Sequence, residues 1–279
     1  MSLWKSLILV GALLAACGSP TPPAAPPVPS ATPAPTATPA PTLTALPTLP
    51  ATPQASGLDL QASALRPGFE GDLAAIANPT RYWIELRVDF DPPTERALIV
   101  GLARIRFANP ERGAIRDIVV MLWPNDAQFR AEMSAGPALI DGQLQAPITM
   151  LGGLAQRYDL PRPLGSGESV DLSIPFRIAT SGPIGGQSPS RFGISQQVLF
   201  APTAYPLLPL RRNGEWVVER APAGGDTTNS AVAFYQVELA APQGLEVVTT
   251  GVELSREPLP GGGQAVTIVS GPARDFAFA

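Results

Sequence analysis

From Tyr82 to Phe90 apolar and polar residues alternate without a break. Tyr82, Ile84, Leu86, Val88 and Phe90 share one parity; Trp83, Glu85, Arg87 and Asp89 share the other. A period of two predicts a half-buried strand with one apolar face. Asp91-Pro92-Pro93 ends it. Leu98 and Val100 predict the next strand. The apolar parity then moves to Ala103, Ile105 and Phe107 across Gly101, as a β-bulge would require. Asn109-Pro110 turns the chain, and Ile118, Val120 and Leu122 predict a third strand ending at Pro124-Asn125. Val170, Leu172, Ile174, Phe176 and Ile178 alternate again. Pro175 lies on the opposite parity, which points to an edge strand or a local bulge. Further strands are expected at Tyr235–Leu239, Leu245–Thr249 and Val266–Ile268, with a last one opening in Arg274–Phe278. The one helical pattern, Gly68–Asn78, stops at Pro79. Many short strands parted by Gly and Pro predict a mainly β domain, an antiparallel sandwich or saddle-shaped sheet, over residues 58–279. The chain ends at Ala279 inside an apolar stretch, so truncation of this domain at its C-terminal end is expected.

The first 57 residues follow other rules. Lys5 precedes an apolar run, Leu7–Ala16, that leads into Leu14-Ala15-Ala16-Cys17. The run is too short to span a bilayer and reads as a cleaved leader, residues 1–16. Small residues before Cys17 admit a peptidase close to the backbone. The pattern is similar to a bacterial lipoprotein signal, with Cys17 as the lipidation site carrying a diacylglycerol with palmitate-type chains. An ordinary secretory signal with a chance cysteine is the alternative, but an unpaired thiol has little other use in an exported chain. The expected location is extracytoplasmic, in the cell envelope of a bacterium, with the membrane as a partner through the lipid on Cys17.

No charged residue occurs between Ser6 and Leu58, and residues 18–57 are built from Thr-Pro, Ala-Pro and Ser-Ala units. Proline fixes φ and removes backbone donors, so residues 17–57 predict a disordered, partly polyproline-II linker. Its reach is on the order of 100 Å at full extension, that of a spacer; a proline-motif ligand for another protein is the alternative. Its hydroxyl residues are candidates for glycosylation.

Lys5 is the only lysine among 19 basic residues, against 23 acids, so loss of the leader takes the formal charge from −4 to −5. An acidic balance without a basic patch excludes nucleic acid. The chain has no histidine and one cysteine, Cys17. A Ser-His-Asp triad, a Cys-His pair and a histidine zinc site are therefore excluded within this chain. Carboxylate chemistry is left open: a metal site, an acid–base pair, or a hydrolase working through carboxylates alone.

The residues that invite a functional reading also have plain ones. Gly165-Ser166-Gly167-Glu168-Ser169 has the outline of a nucleophile loop but no base to activate Ser166, and reads as a turn. Gly185-Gly186, Gly224-Gly225 and Gly261-Gly262-Gly263 lack the Lys-Ser/Thr of a phosphate loop and also read as turns. Asp89 and Asp91 suit a cation near a strand end, or stabilise their own turn. Trp83, Trp123, Tyr205 and Trp216 suit a ligand groove, or core packing.

Taken in order, several segments resemble the N-terminal β domain of zinc aminopeptidases of the aminopeptidase N type, the gluzincins. They are Arg81-Tyr82-Trp83-Ile84-Glu85-Leu86; Leu98–Asn109 with Gly101; Leu122-Trp123-Pro124-Asn125; and Tyr158–Gly167. Then come Tyr205-Pro206-Leu207-Leu208-Pro209 with Trp216; Val237-Glu238-Leu239 with Pro242, Gly244 and Thr250-Gly251; and Ser270-Gly271-Pro272-Ala273-Arg274-Asp275-Phe276. The resemblance covers nearly all of Ala64–Ala279, and it lies in the order and spacing of the segments, none of which is diagnostic alone. It implies a non-catalytic module that packs beside a thermolysin-like domain and forms one wall of a peptide cleft. The family's His-Glu-x-x-His and Gly-x-Met-Glu-Asn segments lie in that following domain and are missing here. Zinc is expected only there, no cofactor in this chain, and no catalytic or metal residue is assigned. The resemblance also implies a polar side chain that helps bind the substrate's amino end. It falls within Arg191–Pro209, but no residue there is assigned to it. The expected partners are a catalytic metallopeptidase domain or a peptide substrate, and the chain alone is expected to be inactive. The alternative is a stand-alone binding or scaffold lipoprotein with a β-sandwich module.

Overall fold

The computed structural model describes residues 58–182, 192–222 and 228–279. The leader, Cys17, the Pro-rich linker and the pairs Gly185-Gly186 and Gly224-Gly225 lie outside them. The described chain opens with a one-turn helix α1 (Asp59–Ala62) and a 3-10 turn (Glu70–Ala75). The helix expected over Gly68–Asn78 is thus only this turn. It buries nothing, so no tertiary packing lengthens it.

Seventeen strands follow. β1 (Thr80–Asp91) and β2 (Arg96–Ala108) form a long hairpin. β3 (Ile115–Met121), β4 (Ala131–Ala135), β5 (Ala138–Ile140), β6 (Gln143–Gln145), β7 (Ile148–Met150) and β8 (Ala155–Leu164) lead to β9 (Ser169–Ser181). β10 (Gly193–Ser195), β11 (Val198–Pro202), β12 (Arg211–Arg212) and β13 (Glu215–Trp216) are short. β14 (Ala233–Ala241), β15 (Val252–Pro258), β16 (Gln264–Ala273) and β17 (Ala277–Phe278) complete the order. The large sheet runs β15-β16-β14-β1-β2-β9-β5-β6, with β4 also paired to β9. Smaller sheets are β3-β8-β7, β10-β11-β17 and β12-β13.

The expected mainly β architecture is present, but the large sheet is mixed and not wholly antiparallel. β1 pairs with β14 in parallel, Thr80 to Ala233 through Arg87 to Ala240. This register keeps Tyr82, Ile84 and Leu86 beside Tyr235, Val237 and Leu239, so both apolar parities face one way. A single buried cluster holds these residues together with Ile118, Tyr158, Ile194 and Phe276 from the smaller sheets and the chain end.

The bulge expected at Gly101 is absent. β2 pairs with β1 and β9 without a register shift, and Ala97, Ile99, Ala103, Ile105 and Phe107 all face the core. Leu98 and Val100, read as the inward pair, lie half-buried on the other face. Gly101 belongs to the inward parity and makes room for Phe176, its partner on β9. A Cβ there would stand 2.4 Å from the Phe176 ring and 2.6 Å from the Glu85 carbonyl oxygen.

Pro175 sits in an internal strand, because β9 has β2 on one side and β4 and β5 on the other. It is tolerated because it faces the break between those two strands. There Gly136, Pro137 and Ala138 stand opposite Ile174 and Pro175, and the Gly136 N–H donates to the Pro175 carbonyl at 2.9 Å. Leu245–Thr249 is not a strand. That segment meets the chain end through one bridge, Thr249 to Phe278, and the strand runs at Val252–Pro258 instead. The last strand is likewise only Ala277–Phe278, because the chain first turns through Arg274–Phe276.

Candidate functional site

Three tyrosines gather where β1, β14 and the segment after β11 meet. The Tyr82 and Tyr235 rings stack at 5.0 Å, and Tyr205 stands edge-on to both, at 5.7 and 5.9 Å. All three are buried, so each hydroxyl needs a partner inside the protein. The Leu208 N–H donates to the Tyr82 hydroxyl at 3.1 Å, and the Phe276 N–H to the Tyr205 hydroxyl at 2.8 Å. Tyr235 donates to the Arg274 carbonyl at 3.1 Å. Burial is the main reason all three phenols hold their protons well above the ordinary tyrosine range. Tyr82 raises Tyr205 further while the hydrogen bond with Tyr235 opposes the rise, and both Tyr205 and Tyr82 raise Tyr235. A neutral, fully bonded cluster like this holds the fold together and offers no reactive group.

The open groove lies elsewhere, at the turn of the β1–β2 hairpin. It holds about 980 Å³ and is lined by apolar Phe90, Phe129 and Ala131 together with charged Asp91, Arg96 and Glu132. Asp89 and Asp91 both line it, but they do not converge on a cation site. Asp91 accepts a hydrogen bond from Thr94 at 2.6 Å, closing its own turn, and Asp89 is paired at 4.0 Å with Arg87. Among the described residues, no group of three or more His, Cys, Asp or Glu side chains comes together to hold a metal ion.

One carboxylate pair does stand out. Glu85 on β1 and Glu238 on β14 are register partners on the face of the large sheet away from the core. Partial burial, then the charge of Glu85, raise the Glu238 carboxyl above its ordinary range. Arg104 is bonded to Glu85 and opposes the rise. The pair stands on an open sheet face, and the guanidinium takes up the charge that a general acid–base pair would need.

The other candidates separate. Gly165–Ser169 is the β8–β9 turn: Glu168 accepts from the Gly165 N–H at 2.7 Å and from Arg162 at 2.8 Å. The Gly165 N–H is the first cause that holds the Glu168 carboxyl below its usual range. Trp123 and Tyr205 are core residues, Trp83 lies on the outer sheet face, and Trp216 packs on Phe107 at 5.5 Å. Arg211 lies over the Trp216 ring at 4.7 Å and grips Glu111 with two bonds of 3.2 Å, pinning β12–β13 to the loop after β2. Gly261-Gly262-Gly263 is the β15–β16 turn.

Two asparagines read only as turn residues are junctions. Asn109 is buried; its amide donates to the Gly113 and Leu164 carbonyls and its oxygen accepts from the Glu111 N–H. Asn125 bonds Met133 in both directions and donates to Gly153. Asparagine before or after proline marks a turn but does not reveal such distant partners. Within Arg191–Pro209, Gln196 and Gln197 form the two-residue β10–β11 loop, exposed, at φ 52° and 62°. This loop type favours Asn or Gly, so two glutamines there are unusual.

No protein-family model matches the chain, and no curated protein does. Among solved structures it is similar to the M1 zinc metallopeptidase from Deinococcus radiodurans, at 15% identity and a TM-score of 0.45, over 73% of this chain and 43% of that one. A mutant of that enzyme bound to a Tyr-Ser-Ala substrate matches at 15% identity with the same TM-score, over 72% and 42%. The mutant bound to L-tryptophan matches at 16% and 0.45, over 73% and 43%. The chain thus spans about two fifths of the length of the structures it matches.

Proposed function

We propose that this chain is the lipid-anchored, extracytoplasmic, non-catalytic β module of a zinc aminopeptidase-like protein. Cys17 carries the anchor, the Pro-rich segment is the spacer, and the β domain braces a catalytic domain and forms one wall of its peptide cleft. The observation that carries this reading is the tyrosine cluster. It joins the first, fifth and last of the resembling segments: Tyr82 bonds Leu208, and Tyr205 bonds Phe276. Segments 126 and 71 residues apart in these two bonds are therefore physical neighbours. Their shared order and spacing then has a common physical cause. The exposed Gln196-Gln197 tip is the candidate we put forward within Arg191–Pro209 for the polar group that meets a peptide's amino end. With no histidine in the chain, the hydrolytic water would be activated by zinc in the partner domain.

Two measurements test this. Metabolic labelling with an alkyne fatty acid should tag the chain and send it to the membrane fraction, and Cys17→Ser should abolish both. Sequencing the DNA beyond the codon for Ala279, with the neighbouring genes, should reveal a His-Glu-x-x-His reading frame. Absence of such a frame, with a partner of another kind recovered by crosslinking, would overturn the aminopeptidase reading and leave a binding lipoprotein.

A further inference from the structure

The parallel pairing of β1 with β14 is the seam of the large sheet. On one side of it lie β2, β9, β4, β5 and β6, and on the other β16 and β15. Residues in register across a sheet share a face and stand about 5 Å apart. On the core face of the seam Tyr82 stacks on Tyr235. On the outer face Glu85 stands abreast of Glu238. Like charges directly opposite each other weaken a pairing.

The surroundings of Glu238 offset that repulsion only in part. Its register partner on β16 is Thr267, with Ser255 of β15 beyond it. Gln236 and Ala240, its outward neighbours on β14, are uncharged, and so are Ala265 and Val269 on β16. Leu102 of β2 stands beyond Glu85. Arg87 and Glu257 belong to the next row of the sheet, through Ala240 and Ala265. Asp59 opens α1, which packs on β16. Arg104 is the cation that acts on Glu238, and its bond goes to Glu85. Both glutamates are half-buried, so water screens them incompletely.

We propose that Glu85 and Glu238 form a proton latch on this seam, closed in mild acid and strained at neutral pH. With both carboxylates ionised, two negative charges stand abreast against one guanidinium. When a proton enters from solvent, the Glu238 carboxyl donates it in a hydrogen bond to the Glu85 carboxylate, and repulsion between the strands becomes attraction. One O–H bond forms and nothing else is consumed. The folded state favours this proton because of partial burial and then Glu85, against Arg104. It therefore binds the proton more tightly than the unfolded chain does. The latch adds stability as pH falls from neutral, and the addition is complete below the ordinary glutamate value of 4.5. Glu168 and Glu253 are held below their usual range and work the other way, losing their bonds in stronger acid. The two faces of one seam thus respond at opposite ends of the pH scale, the carboxyls in acid and the stacked tyrosines in alkali.

The test compares the full chain with its Glu238→Gln variant, an amide of the same shape, by thermal melting from pH 4 to 8. At pH 7.5 the variant should melt about 2–4 °C higher, because one of two opposed charges is gone. By pH 4 the gap should close, since the parent's Glu238 is then neutral too. A variant no more stable than the parent at pH 7.5, or an advantage that is unchanged at pH 4, would overturn the proposal. Carbon NMR on chains labelled at the glutamate side-chain carboxyl reads the site directly. The resonance that Glu238→Gln deletes should titrate above the ordinary glutamate range and move back toward it in Glu85→Gln. Titration in the ordinary range, or indifference to Glu85, would overturn it as well.

Discussion

Replacing Gly101 with alanine tests the central packing argument. The added Cβ would lie 2.4 and 2.8 Å from Phe176 ring atoms and 2.6 Å from the Glu85 carbonyl oxygen. Ordinary carbon contacts begin near 3.5 Å, so the ring must retreat by about 1 Å. Phe176 is buried and cannot swing into solvent. The carbonyl belongs to β1, the neighbour in the ladder, so relief there means parting two strands. Overpacking of this kind costs about 1–3 kcal/mol, and the backbone clash pushes toward the upper end or beyond. Removing glycine's freedom in the unfolded chain returns about 0.4–1 kcal/mol. The net expectation is a loss of about 2–3 kcal/mol, or a melting temperature lower by about 5–10 °C. Urea unfolding followed by tryptophan fluorescence would measure it. Phe176→Leu should couple to Gly101→Ala by about 1 kcal/mol, the double variant losing less than the sum. A Gly101→Ala variant within about 0.5 kcal/mol of the parent, or strict additivity, would refute the claim that the ring dictates glycine.

Asn109→Ala should cost about 3 kcal/mol in the same assay, because it strands two carbonyls and an N–H around a buried side chain; a neutral result would mean that water replaces the amide. Tyr82→Phe should cost about 1–3 kcal/mol by leaving the Leu208 N–H unpaired, read by thermal melting. The domain should also lose stability in alkali. The folded state holds the Tyr82, Tyr205 and Tyr235 protons above their unfolded range. Their contribution is therefore complete below about pH 10 and is lost above it, by up to about 1.4 kcal/mol per pH unit for each tyrosine. Melting midpoints between pH 8 and 11.5 check this, and Tyr→Phe variants should flatten the fall.

Strands whose apolar residues alternate over nine or more positions were legible in the sequence. β1 and β9 match their patterns closely because one face is buried and the other is not. β3 was only partly legible: Ile118 to Leu122 are all buried, so its alternation hid a second covered face. β2 was placed, but its parity was misread, because Leu98, Val100 and Leu102 make its outer face apolar too. Gly101 then looked like a defect in the pattern, when its cause is a phenylalanine 75 residues away in the chain. The parallel β1–β14 pairing has no local signal at all. Nor does β15, whose seven residues are all exposed. As for a site, the sequence shows directly that histidine chemistry has no residue to use in this chain, while the asparagine junctions and the Gln196-Gln197 tip depend on backbone geometry that composition does not encode.

The parallel pairing also bears on when this protein can fold. β1 is among the first strands made and lies near the middle of the large sheet, yet its partner β14 is synthesised about 150 residues later. Until then one edge of β1 is bare and the stacked tyrosines have no Tyr235. High contact order of this kind slows folding, because loop closure comes before any reward in contacts. If the chain is exported as proposed, such slowness is an advantage: the segment still inside the cell has no finished sheet to unravel. The same delay leaves β1 as a free edge until β14 arrives, a bare strand that a holding chaperone could grip.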